Sequence, residues 1–163
     1  MSTDRIEKSV LLRSTRERVW NAVSDAAQFG RWFGVAFDGP FAAGAHVTGR
    51  IVPTSVDAEV AARQKAFEGM PFDFRVERIE PMRHISFRWH PFAIEPGVDY
   101  SNEPTTLIEF ELADAQGGIL LAITESGFDA IPLARRARAF AANDGGWTAQ
   151  TRLIARYLAL APA

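Results

Sequence analysis

The stretch NDGGWTAQTRLIARYLA, residues 143–159, decides which fold this chain adopts. Its composition is typical of a helix, yet Gly145 and Gly146 stand side by side directly before Trp147. Each glycine inside a helix costs roughly 0.5–1 kcal/mol relative to alanine. Either a helix begins at the glycines, or one helix runs through them because something approaches its backbone or needs space beside it.

An apolar stripe favours one continuous helix. Phe140, Trp147, Ile154 and Leu158 keep approximate helical phase on both sides of the glycines. We therefore predict a single long helix that fills the chain after Gly127, with a break at 143–146 as the alternative.

The chain before this helix is predicted to be mostly antiparallel strand. Apolar residues alternate with polar ones in 71–77, 84–90 and 107–112, which is the pattern of half-buried strands. Further strands are predicted at 6–12, 35–38, 45–52 and 119–127, and a helix at 55–68.

Two short helices are expected after the first strand. Ser14 and Glu17 have the spacing of a capping box that opens the first of them. Asp25 opens the second, which Gly30 and Gly34 interrupt and end. This order of elements predicts an α+β fold in which a curved antiparallel sheet of about six to seven strands wraps around the long C-terminal helix.

Composition limits the class of protein. A length of 163 residues suits a single domain, 1–163, and the net charge of −2 provides no basic surface for nucleic acid. The absence of cysteine excludes disulfides and thiolate sites. The polar start and the lack of a long apolar run favour a cytoplasmic protein without a membrane span.

Three segments together resemble one known family. Three segments are similar to homologues of the activator of the ninety-kilodalton heat-shock-protein ATPase: SVLLRSTRERVWNAVSDAAQFGRWFG near the start, TESGF at the end of the last strand and GGWTAQTRLIARYL at the end of the chain. The resemblance spans about 6–160. It implies the helix-grip fold of the START and birch-pollen-allergen superfamily, whose members include ligand carriers, enzymes and co-chaperone domains.

The resemblance also implies a cavity between the sheet and the long helix. Cavities that hold a ligand typically measure about 300–1,000 Å³ and have mainly apolar walls. Aromatic residues make up 11% of the chain, and they either line such a cavity or pack together as a core. The candidate wall residues are Phe72, Phe74, Phe87, Trp89, Phe110, Ile123 and Trp147, with Trp32 and Phe33 expected near the mouth.

Polar anchors complete the candidate site. Glu125 shares one strand face with Ile119, Leu121 and Ile123, so it points inward if they do. It is either a polar anchor or general base, or a strand-end residue held at the rim. Tyr100, in the long loop 91–104 with its three prolines, and Gln150 are the other candidate anchors.

The remaining motifs give no sign of catalysis or of a cofactor. The three histidines lack the spacing of a helical metal site, and no phosphate-binding loop or nucleophile elbow is present, so we predict no metal, no cofactor and no assigned catalytic residue. Arg135, Arg136 and Arg138 form a basic cluster, which is either a solvated face or a contact for an acidic partner.

Three functions remain open. The leading hypothesis is a monomer or homodimer that binds an apolar or amphipathic small molecule in the cavity. The second is a protein-interaction module with a chaperone partner, and the third is a hydrolase- or cyclase-like enzyme that uses Glu125.

Overall fold

The long C-terminal helix runs unbroken through the paired glycines. The computed structural model describes residues 4–95 and 97–160, so Pro96, one of the prolines predicted to stiffen the long loop, lies outside the described residues. The strands are β1 (Arg5–Leu12), β2 (Val35–Phe37), β3 (His46–Ile51), β4 (Pro71–Glu80), β5 (His84–Trp89), β6 (Thr106–Ala115) and β7 (Gly118–Ser126). The helices are α1 (Arg16–Ser24), α2 (Ala26–Phe33), α3 (Ala58–Gln64) and α4 (Leu133–Leu160), with 3₁₀ turns at Lys65–Phe67 and Phe128–Ala130.

Within the described residues, seven strands form one antiparallel sheet in the order β1-β7-β6-β5-β4-β3-β2. A sheet with α1 and α2 following its first strand and one long terminal helix is the predicted α+β helix-grip fold, which is confirmed. Ile85, Phe110 and Ile123 occupy facing positions on β5, β6 and β7, so the inner face of the sheet is apolar as its period of two predicts.

Local details differ from the sequence-based expectation at the first two helices. Thr15, rather than Ser14, caps α1, because its side-chain oxygen accepts a hydrogen bond from the Arg18 N–H at 3.2 Å. Helix α2 passes through Gly30 and ends at Gly34, whose left-handed φ of 99° suits glycine. Gly30 is required because a side chain there would collide with the backbone carbonyl of Val35.

The core is an aromatic cluster centred on Phe29 of α2. Its ring centroid lies 4.6 Å from that of Trp32 and 5.7–5.9 Å from those of three phenylalanines on the sheet. These are Phe74, Phe87 and Phe110, and all of them are fully buried. Phe29 therefore fills much of the space between the sheet and the helices.

Helix α4 lies across this sheet with Trp147, Ile154 and Leu158 buried. Apart from the adjacent residues and the backbone of the helix itself, a Cβ atom added to Gly145 or Gly146 would meet no atom of the described residues within 4 Å. The glycines thus leave space beside the helix and do not mark a close approach to its backbone. In the part of the chain that the structure describes, no helix combines the length and apolar character needed to cross a membrane.

Candidate functional site

Glu125 is a fully buried carboxylate at the end of β7. Its strand neighbours Leu121 and Ile123 point into the core, and the alternation carries Glu125 to the same inner face. The exposed fraction of its side chain is 0%. A buried charge is costly unless hydrogen bonds replace its water.

Four neutral side chains supply those hydrogen bonds. The Oε1 atom accepts from the Trp147 Nε1–H at 2.8 Å and from the Asn143 amide at 3.0 Å. The Oε2 atom accepts from the Trp89 Nε1–H at 2.7 Å, from the Thr106 hydroxyl at 2.6 Å and from the same Asn143 amide at 3.1 Å. One carboxylate therefore ties β5, β6 and β7 to helix α4.

Burial raises the pKa of Glu125 above its ordinary value, while the hydrogen bonds from Thr106, Trp89, Trp147 and Asn143 act in the opposite direction. Indole and amide N–H groups can only donate, so they suit the ionised carboxylate. This arrangement places an acidic group at the junction of sheet and helix with no solvent around it.

A groove of about 600 Å³ opens beside this junction. It lies between strands β3 and β4 on one side and the loop 91–104 on the other, and Trp89 and Asn143 close its inner end. Most of its walls are apolar or aromatic: Ile51, Met70, Pro71, Phe72, Trp89, Phe92, Ala93, Ile94, Val98 and Tyr100. Its volume falls within the range of small-molecule sites.

A second, smaller pocket of about 60 Å³ lies next to the paired glycines. It shares Trp89 and Asn143 with the groove, and its other walls come from Phe33, Gly146, Trp147 and Gln150. The Gln150 amide donates a hydrogen bond to the Phe33 carbonyl at 3.2 Å. The space left by the missing side chain of Gly146 is thus part of a pocket.

The structure brings most of the predicted site residues together. Phe72, Trp89 and Tyr100 line the groove, while Phe33, Trp147 and Gln150 line the small pocket, with Glu125 directly behind their shared wall.

The other candidates lie elsewhere. Phe74, Phe87, Phe110 and Ile123 pack in the core, where Phe29 occupies the space that the sequence assigned to a cavity. Trp32, expected near the mouth, is fully buried and donates its indole N–H to the Ala22 carbonyl at 2.9 Å. These five residues line neither the groove nor the small pocket.

Sequence reasoning missed Asn143 and Thr106, the remaining donors to Glu125. Asn143 stands four residues before Trp147, so both lie on one face of α4 and reach the same carboxylate. Thr106 shares the inward parity of Ile108 and Phe110 on β6. Asn143 could have been found by listing the residues that share a helix face with Trp147. Thr106 could have been found by extending the strand parity of Ile108 and Phe110.

Arg135 anchors the loop that forms one wall of the groove. Its guanidinium forms an ion pair with Glu103 at 2.7 Å and donates to the Pro91 carbonyl at 2.7 Å. It also lies 4.8 Å from the centre of the Tyr100 ring. The predicted basic cluster is therefore divided, since Arg135 holds the loop, Arg136 donates to the Ile131 carbonyl, and Arg138 is exposed.

A separate group of potential metal ligands lies on the outer face of the sheet. Atoms of His84, Glu109 and Glu111 lie within 4.8 Å of one another, and His84 Nδ1 is 3.2 Å from the Glu111 carboxylate. The strand register places these residues on the face opposite Ile85 and Phe110. They are thus remote from the groove.

Comparison with known proteins identifies related chains. Residues 13–159 match the family described as Activator of Hsp90 ATPase homolog 1-like protein. No curated protein matches the chain.

Several solved structures share the fold at low sequence identity. A protein from Arthrobacter aurescens has a TM-score of 0.72 at 16% identity, with 99% of this chain and 88% of that chain covered. The Aha1 dimer from Colwellia psychrerythraea has a TM-score of 0.68 at 15% identity, with 98% of each chain covered. DynU16, a putative protein of the dynemicin biosynthetic locus, has a TM-score of 0.66 at 22% identity. The match covers 96% of this chain but 48% of DynU16, so the chain spans about half of that protein.

Proposed function

This chain belongs to the Activator of Hsp90 ATPase homolog 1-like family, and from that premise we propose that it binds an apolar or amphipathic small molecule. The proposed site is the groove between strands β3 and β4 and the loop 91–104. The observation that carries the proposal is a groove of about 600 Å³ whose walls are mostly aromatic and aliphatic. Affinity then comes from apolar area removed from water, at about 25 cal/mol per Å².

The surroundings of Glu125 favour binding over general-base catalysis. Each of its oxygens already accepts at least two hydrogen bonds, and its side chain has no solvent exposure. A base must reach the proton that it removes. We therefore assign Glu125 to holding Trp89, Asn143 and Trp147 in place at the inner end of the groove.

Titration with the neutral apolar dye Nile red tests the proposal. We expect saturable binding at one site, seen as a rise in dye fluorescence. Ile94→Arg puts a charged side chain into the groove wall and should weaken binding by about tenfold or more. Leu120→Arg is the matched control, because Leu120 is 37% exposed and lies on the outer face of β7.

Both variants should keep the thermal unfolding midpoint of the native chain, because neither residue is in the buried core. If Ile94→Arg and Leu120→Arg bind the dye as the native chain does, the groove is not the binding site and the proposal fails.

The family description favours a second candidate, in which the chain stimulates the ATPase of a chaperone partner. The division of the basic cluster leaves Arg138 as its exposed member, so Arg138→Glu tests a charged contact. The candidate predicts stimulation of Hsp90 ATPase activity by the native chain and by Ile94→Arg alike, with a loss in Arg138→Glu. Lack of any stimulation at low salt would rule against it.

A further inference from the structure

Three aromatic rings line the small pocket beside the paired glycines. The ring centroids of Phe33, Trp89 and Trp147 form a triangle with sides of 6.0, 6.0 and 6.3 Å, and all three residues line the pocket. Aromatic rings attract cations through their electron-rich faces, and Trp is the strongest in this respect. The arrangement is therefore suited to a positively charged group.

The same pocket contains a hydrogen-bond acceptor in need of a donor. The Oε1 atom of Gln150 is buried and has no hydrogen-bond partner among the described residues, although the amide nitrogen of this side chain is bound to the Phe33 carbonyl. A buried polar atom without a partner costs stability or is matched by a ligand or water. An N–H or O–H group in the pocket would satisfy it.

The charges around the pocket indicate whether the donor is a neutral or a positively charged group. Trp89, Asn143 and Trp147 line the pocket on one side and donate to Glu125 on the other, so the carboxylate lies one side chain behind the wall. Its four hydrogen-bond donors are neutral, so none of them offsets the charge of its ionised form. A cation in the pocket would be attracted through a medium that screens charge far less than water.

The adjoining groove also contains carboxylates. Asp73, Asp99 and His90 line it, Asp73 lies 2.9 Å from His46 Nε2, and no Lys or Arg lines it among residues 4–95 and 97–160. The backbone N–H of Ser101 holds the pKa of Asp99 below its usual range, so this group is ionised at neutral pH. A fatty acid or another anionic amphiphile would meet like charge along the groove.

We propose that the groove's ligand is a primary alkylammonium compound whose charged head occupies the small pocket between Phe33, Trp89 and Trp147 and donates to Gln150. This inference rests on the proposed function and names the class of its ligand. The apolar part of the ligand lies in the groove. A pocket of about 60 Å³ has room for an ammonium group, since a site that holds one water needs about 10–15 Å³ by the same measure.

Four octyl compounds that differ only in the head group test the ligand class. Octylammonium, octanol, octanoate and octyltrimethylammonium are titrated at neutral pH by calorimetry and by displacement of Nile red. Octylammonium should bind about tenfold more tightly than octanol, because only the cation gains from the rings and from Glu125. Octanoate should bind more weakly than octanol, and the trimethylated head, which has no N–H, should bind more weakly than octylammonium because it cannot donate to Gln150.

Two pairs of variants locate the head group. Gln150→Met removes the acceptor at similar volume and should reduce the preference for octylammonium over octanol. Glu125→Gln removes the charge and also alters the pocket walls that Glu125 holds, so it should reduce the preference further. Gly146→Ala narrows the pocket and should weaken octylammonium binding several-fold. Gly145→Ala should have no effect, because Gly145 does not line the pocket.

The outcomes separate this inference from the proposed function. If Nile red and the octyl compounds bind in the groove but octylammonium has no advantage over octanol, the cation site is wrong and the groove function stands. If neither the dye nor any octyl compound binds, both proposals fail. A preference for octylammonium that survives Gln150→Met and Gly146→Ala unchanged would also overturn the placement of the head group.

Discussion

At the scale of single residues, Glu125 matters both for the stability of the fold and for the shape of the groove. An isolated carboxylate in an apolar interior is strongly disfavoured, and this one persists because two indoles, an amide and a hydroxyl replace its water. The same donors close the inner end of the groove. Any change to Glu125 is therefore expected to alter both the fold and the groove.

Glu125→Gln should lower the free energy of unfolding by about 1–3 kcal/mol, because the new NH₂ group faces N–H donors that lose their acceptor. In the native chain the folded pKa lies above the ordinary value of 4.5. The folded state therefore binds the Glu125 proton more tightly than the unfolded state does. This protonation contributes fully to stability below pH 4.5, and the contribution declines as pH rises through the folded pKa. Urea unfolding of both proteins between about pH 4 and 8 should show this decline in the native chain and its absence in the variant. Parallel curves would contradict the assignment.

The paired glycines offer a separate prediction. A Cβ atom at either position meets open space, and alanine is the better helix former, so Gly145→Ala and Gly146→Ala should each stabilise the protein by roughly 0.5–1 kcal/mol. Thermal unfolding measures this effect. A loss of stability in either variant would show that the helix needs a contact or a conformation that only glycine permits.

At the scale of elements, the loop 91–104 depends on helix α4 for its position. Arg135 links the two through Glu103, the Pro91 carbonyl and the Tyr100 ring, and its side chain is 17% exposed. Arg135→Ala should cost about 1–3 kcal/mol, because it removes charge-assisted hydrogen bonds from a partly buried site. Hydrogen exchange at the amide of Glu103, which donates to the Tyr100 carbonyl at 2.9 Å, should become faster in this variant.

Arg138→Ala is the control for the loop anchor. Arg138 is exposed on the same helix, and a surface substitution of this kind usually changes stability by less than about 0.5 kcal/mol. If both arginine variants leave exchange in the loop unchanged, the loop is held by its own contacts and not by Arg135.

The elements themselves were largely predictable from the sequence. Alternation at Phe72, Phe74 and Val76 predicted β4, and the stripe from Phe140 to Leu158 predicted a helix that continues through the glycines. Gly30 was misinterpreted, because a helix-interrupting glycine and one that lets a neighbouring strand approach look alike in a sequence. The difference depends on Val35, which packs against the helix only after folding.

At the scale of the whole molecule, the aromatic residues divide between core and groove. Strand parity predicted correctly that Phe74, Phe87 and Phe110 face inward. It carried no information on whether a ligand or a protein side chain would meet them. Phe29, from a helix distant in sequence, fills that position, so the location of the open space depended on packing that no local pattern describes.

Phe29→Ala should therefore destabilise the protein by about 3–5 kcal/mol, as expected for an aromatic residue removed from a packed core. Phe67→Ala is the control, since Phe67 is 40% exposed and should tolerate the change. The midpoint and slope of urea unfolding measure both. A small loss for Phe29→Ala would mean that the space between sheet and helices can be emptied without harm.

The position of the groove at the margin of the core has a consequence for evolution and engineering. Its walls come from β3, β4 and a loop anchored at Arg135, whereas stability is concentrated in rings around Phe29. Changes in the loop can then accumulate without rebuilding the interior, so relatives could diverge in ligand choice while retaining the scaffold. Grafting the loop of a relative onto this chain, with Arg135 and Glu103 kept, is accordingly a route to exchanging specificity.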